Sequence, residues 1–341
     1  MRPTFSIIVF TVLSGAGYGL WFLFGVLAWW PYCTSAGGDG APLITRCVYP
    51  GILNAALITG FVLVSIGLLS SVAHLGKPAR AWRALSQWRS SWLSREGILA
   101  FVTYVPAALL FASLNLASWR VATHSDYGAL DRLLSTTYAL RPLGTLLAAC
   151  AIATVFCTAN IYASLKPIRA WRNRFVTSGY LLLGLYSGAL LTWALATLPQ
   201  AWFARETPLL LGAVVVLACV CAALKWLYWR DIDRLPPLDA GHATGLDAQG
   251  TVRSFEQPHT EENYLTHEMG FVLARRHSAK LRSIVLIAAF AIPAALAMLA
   301  LAIHASAFAW IALLCGFAGL FVERWLFFAE AKHAVMGYYA R

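Results

Sequence analysis

Eight stretches in which apolar side chains run on almost without a charge constrain this chain more than any other feature of it. They lie near residues 5–30, 51–73, 97–117, 142–165, 175–199, 208–229, 283–303 and 305–328. Crossing the hydrocarbon core takes about 20 apolar residues as a helix, which satisfies every backbone N–H and C=O internally. The sequence therefore predicts an all-α integral membrane protein, a bundle of eight transmembrane helices forming a single membrane domain over 1–341. Composition agrees: 12% of residues are charged, and a soluble domain carries about twice that fraction. The first run follows Arg2 but extends to Trp30. That is longer than the apolar core of a cleaved signal, so it reads as the first helix of the mature chain.

The formal net charge of +11 is sorted by loop, and so does not point to nucleic acid. Of the 26 lysines and arginines, 21 fall on one side of the predicted bundle and five on the other. Lys77, Arg80, Arg83, Arg89 and Arg95 follow the second span, and Lys166, Arg169, Arg172 and Arg174 follow the fourth. Under the positive-inside rule this side is cytoplasmic, which puts both termini of a multi-pass protein in the cytoplasm. One connection is long: 231–281 joins the sixth and seventh spans, opens with Pro236 and Pro237, and mixes acids with bases. Its second half carries Tyr264, Leu265, Met269 and Phe271 among charges and reads as a surface helix or as a linker.

Several chemistries are set aside by what the sequence lacks. Its seven cysteines form no C-x-x-C run, so no iron–sulfur cluster or zinc site is expected on it. Cys33 and Cys47 share the first loop, on the outer side, and are expected to form a disulfide. The eight histidines all fall at span ends or in connections, which argues against a haem held between facing helices. Ionisable residues are scarce within the spans, with Lys225, Glu323 and Arg324 toward cytoplasmic ends, which weighs against an ion pump. A transporter of a neutral substrate stays open as an alternative. Gly15 and Gly19, four apart in the first span, read as a close helix contact rather than a phosphate loop.

One stretch carries the makings of a site: His74-Leu75-Gly76-Lys77-Pro78-Ala79-Arg80-Ala81-Trp82, continuing through Arg83 to Arg95-Glu96. It begins where the second span reaches the cytoplasmic interface, and Gly76 and Pro78 stop the helix there. An imidazole, several cations and a carboxylate then stand where the polar head of a lipophilic ligand would lie. That inventory suits quinone chemistry, in which ring oxygens need hydrogen-bond donors and two protons accompany two electrons. A basic interfacial loop holding lipid phosphates is the plainer reading of the same residues.

The run from His74 to Glu96 resembles the membrane anchor subunits of dimethyl-sulfoxide-reductase-type molybdenum enzymes. That family's pattern, H-L-G-x-P-x-R-A with S-x-E at the next helix, is met by His74 to Ala81 and by Ser94-Arg95-Glu96. Arg324-Trp325-Leu326-Phe327-Phe328 is similar to its later R-x-x-F-[FY]. The resemblance implies an anchor that holds an iron–sulfur electron-transfer subunit and a molybdopterin catalytic subunit at the membrane and exchanges electrons with ubiquinone or menaquinone. It implies no haem, no iron–sulfur cluster and no molybdopterin on this chain. It places quinone handling on His74 and Glu96, with Lys77, Arg80, Trp82 and Arg83 beside them. The long sixth connection and the cytoplasmic side of the motif depart from the dimethyl sulfoxide reductase anchor. They resemble the branch whose soluble subunits face the cytoplasm and oxidise sulfite. Anchors of quinol-oxidising reductases of the same family remain the alternative.

Overall fold

A computed structural model describes residues 3–29, 50–73, 75–123, 137–198, 207–236, 239–246, 277–303 and 305–339, with positions 248, 250, 252, 255 and 256. His74, Cys33, Cys47 and most of the second half of the long connection lie outside the described residues. Eight helices among the described residues are long and apolar enough to cross a membrane. They are α1 (Phe5–Leu27), α2 (Pro50–Ala73), α3 (Trp92–Thr123), α4 (Thr137–Ala163), α5 (Arg174–Ala196), α6 (Thr207–Asp233), α7 (Ser278–Ile303) and α8 (Ala307–Ala329).

The expected spans are all present, with shifted ends. The main correction is at α3, which begins at Trp92 rather than near 97, so Glu96 lies within the helix and not before it. An apolar run stops at Arg95 and Glu96, whereas the backbone continues helically because both side chains find partners. Likewise α6 runs on past its expected end near 229 to Asp233.

α1 and α5 form the centre. Their most apolar windows are 67% and 72% buried, against 28–50% for the other six helices, whose outer faces are left for lipid. Glycine makes the central approach possible. A Cβ on Gly19 would collide with the Gly184 backbone, and one on Gly188 with the backbone of Gly19 and Leu20. Pairs of glycines four apart on both helices thus interlock, as small residues do where helices pack without a hydrophobic drive.

α7 is not uniform. A π turn spans Leu286–Ala291, and Pro293 follows it. Proline has no N–H to offer the carbonyl four residues back, which belongs to Ala289. The Tyr186 hydroxyl of α5 donates to that carbonyl instead, and Gly319 of α8 packs on the Ala289 backbone. On the face holding the motif loop, the turn after α4 is tied to the C-terminal segment by Ala334 N–H donating to Pro167 O at 2.8 Å. Arg282 joins Asp233 at 2.6 Å and Glu330 at 2.9 Å on that same face.

Candidate functional site

The loop between α2 and α3 is a 3₁₀ helix, Pro78–Gln87, with Lys77 at its N-cap and no buried residue. Lys77, Arg80 and Arg83 are exposed, and Trp82 is 67% exposed. The Arg83 guanidinium lies 5.7 Å from the Trp82 ring centre, and Arg89 lies 5.3 Å from that of Trp88. Such amphipathic cation–indole pairs suit the lipid headgroup layer.

Each residue of Ser94-Arg95-Glu96 does a different job at the return into the membrane. The Ser94 hydroxyl donates to the Ala84 carbonyl. Arg95 donates to the carbonyls of Trp88 at 3.0 Å and Arg89 at 2.6 Å, capping the end of the loop helix, while its guanidinium stacks 4.4 Å from the Trp92 ring. Leu85 closes over Gly97. Glu96 turns the other way. It is 5% exposed, inside the bundle, and the Thr158 hydroxyl of α4 donates to it.

The structure thus divides the residues singled out in the sequence. Lys77, Arg80, Trp82 and Arg83 share the exposed loop, whereas Glu96 is buried behind it. Burial leaves the Glu96 carboxyl no direct route to bulk water at the loop end. The part played by His74 rests on its place in the sequence.

The structure also assembles a site whose members are dispersed in the sequence. Lys225 of α6 and Glu323 and Arg324 of α8 are 3%, 0% and 6% exposed, so they lie buried in the bundle rather than loosely at span ends. Lys225 Nζ meets Glu323 Oε1 at 2.5 Å, and Arg324 forks onto both oxygens of the same carboxylate at 2.5 and 2.8 Å. Arg324 stacks 4.4 Å from the Tyr180 ring centre and 4.8 Å from that of Phe327. Tyr162, Trp171, Phe327 and Phe328 pack edge-on and stacked around them. Glu323 lies six residues from the end of α8, about 9 Å along the axis. An acid and a base side by side in an apolar run were the available signal, since ionisable residues inside spans are functional candidates by default.

A cavity of about 30 Å3 lies between α1, α4, α5 and α8. Thr158 borders it on one side, and Glu323 and Arg324 border it on the other. The Tyr18 and Tyr180 hydroxyls, both buried, border it without a hydrogen-bond partner among the described residues. Among the described residues no cluster of histidine, cysteine or carboxylate has the composition of a metal site.

A sequence profile of the DMSO reductase anchor subunit (DmsC) matches residues 1–329. The protein is 33% identical over 347 aligned positions to the C subunit of sulfite dehydrogenase from Allochromatium vinosum, covering 99% of each sequence. It is 26% identical to the C subunit of anaerobic dimethyl sulfoxide reductase from Escherichia coli K12, over 48% of this sequence and 51% of that one. It is 24% identical to YnfH, another anaerobic dimethyl sulfoxide reductase component of the same organism, over 47% of this sequence and 50% of that one. With eight membrane-spanning helices and a profile match over nearly its whole length, the chain belongs to the DMSO reductase anchor subunit family.

Proposed function

We propose that this chain is the quinone-reactive anchor of a molybdopterin and iron–sulfur complex that passes electrons from sulfite oxidation at the cytoplasmic face to the quinone pool. Full-length similarity to a sulfite dehydrogenase subunit supports the substrate, and the concentration of 21 basic residues on the motif side supports the cytoplasmic orientation. The observation that carries the quinone reading is Glu96, a buried carboxyl set directly behind an exposed loop of cations and indoles.

Size and donor chemistry decide where a quinone fits. A cavity of about 30 Å3 admits water but not an aromatic ring, so the internal cavity is not the quinone site. The membrane face of the loop suits it better, with Trp82 and the aliphatic stems of Lys77, Arg80 and Arg83 open to a ligand arriving through lipid. Quinone, when bound, supplies a two-electron, two-proton acceptor. The protein's contribution is to bind and orient it. His74 would serve as hydrogen-bond donor to a ring oxygen, and Arg80 or Lys77 would supply positive charge beside it. Glu96 holds the proton to be delivered.

The test is electron transfer from sulfite to quinone in the purified complex, beside sulfite oxidation with a soluble dye as acceptor. Glu96→Gln and His74→Ala should each lower quinone reduction by about 10²-fold or more while dye reduction persists. Wild-type quinone reduction in both variants, with the complex intact, would leave the chain a structural tether. A complex that oxidises quinol but not sulfite would favour the reductase alternative.

A further inference from the structure

Glu96 must recover each proton it gives up, yet at 5% exposure it is shielded from bulk water. Its hydrogen-bond partner in the bundle, Thr158, faces the internal cavity. The Thr158 hydroxyl contacts both Glu96 Oε1 and, at 3.1 Å, the Thr154 carbonyl. A hydroxyl has one proton. Both contacts are satisfied together when Glu96 is an acid whose O–H donates to Thr158, leaving the threonine proton for the carbonyl.

Beyond Thr158 the cavity has room for one or two waters, and it is lined by groups that need them. Among the described residues the Tyr18 and Tyr180 hydroxyls are buried without a well-formed hydrogen bond, although Arg324 and Tyr162 lie close to that of Tyr180. A buried hydroxyl left so is destabilising unless water meets it. On the far wall the fork of Arg324 already neutralises Glu323, so Lys225 is the surplus cation. Arginine keeps its proton, whereas a buried lysine can yield one. On its cytoplasmic side Lys225 feels the field of Glu330, which leads through Arg282 to the half-exposed Asp233.

We propose that water held in this cavity by Tyr18 and Tyr180 connects Glu96 to the Lys225–Glu323–Arg324 triad, and that the triad reloads Glu96 with protons. The inference rests on Glu96 being a proton donor in the proposed reaction. In the step, Lys225 Nζ gives its proton to Glu323, Glu323 gives one to the cavity water, and the water passes one through Thr158 to the Glu96 carboxylate. Lys225 ends neutral and Glu96 ends as an acid. The four side chains sum to zero charge before and after, so no net charge is created where solvation is poor. Lys225 then recovers its proton from the Glu330 side.

Infrared spectroscopy of the intact complex in nanodiscs tests this without turnover. The acid C=O band lost in Glu96→Gln identifies Glu96, and its hydrogen–deuterium exchange is timed. Exchange should slow by at least about tenfold in the Tyr18→Phe/Tyr180→Phe double variant, which keeps both rings. Thr158→Val, nearly isosteric, should do the same and serves if the double variant does not assemble. Wild-type exchange in these variants, or no acid band assignable to Glu96, overturns the relay. Slowed exchange combined with unimpaired quinone reduction in Glu96→Gln would instead keep the relay and remove the functional reading.

Discussion

The most demanding residue in the bundle is Glu323, fully buried and shared between two cations. Removing one partner of a buried ion group leaves an uncompensated charge, which costs about 3–5 kcal/mol. Glu323→Gln strands two cations and should fail to accumulate in the membrane or lose most of its thermal stability in detergent. Lys225→Met leaves the Arg324 fork in place and should cost clearly less. Glu330, just past the end of α8, is a separate case. Burial pushes its carboxyl above the ordinary range, and Arg282 only partly opposes this. The folded protein therefore holds that proton more tightly than the unfolded chain. Stability is greatest below the ordinary carboxylate range and falls as pH rises through the raised value. Thermal melts across pH should show this decline, and Glu330→Gln should flatten it.

Individual elements depend on single borrowed partners. The carbonyl of Ala289, deprived of its helical donor by Pro293, is supplied by the Tyr186 hydroxyl, so the π turn of α7 rests on a side chain of α5. Tyr186→Phe removes that bond from a dry interior and should destabilise by about 1 kcal/mol, read as a lower midpoint in detergent melts. The contact of α1 with α5 is backbone on backbone at Gly19, Gly184 and Gly188. Gly19→Leu should push the central pair apart and abolish assembly, whereas Gly212→Leu, where a Cβ meets open space, should be tolerated. Immunoblots of membrane fractions would separate the two. The loop helix is held by Ser94 and Arg95 of its motif, which explains why serine and arginine precede the buried glutamate.

At the scale of the molecule, a central pair of helices is wrapped by six that face lipid, and the charged groups gather toward one membrane face. The basic loop and the Asp233–Arg282–Glu330 cluster lie at the ends of α2, α3, α6, α7 and α8 that share this face, and the ion triad lies buried toward it. A soluble partner and the cytoplasm are met there in the proposed orientation. A reporter fused after Arg341 that is active only in the cytoplasm should therefore be active. Activity of a periplasm-only reporter at that position would invert the assignment.

The number of spans, the all-helical class and the site loop are legible in the sequence, because apolar length and the Gly76–Pro78 break act locally, within a turn or two of chain. The spacing of glycines 15 and 19 marks a helix contact, and Gly19 makes it, though the partners Gly184 and Gly188 stand more than 160 positions away. The inward turn of Glu96 is not legible, since a carboxylate beside an arginine at a span end looks solvated until Thr158 of α4 is brought against it. The same holds for Lys225, whose charge is tolerable in the bilayer only because α8 delivers Glu323 to it across 98 residues of sequence. Local physics fixed which segments enter the membrane. Only the tertiary structure decided which polar groups meet there, because in a dry interior a charge is placed by its partners and those come from distant helices.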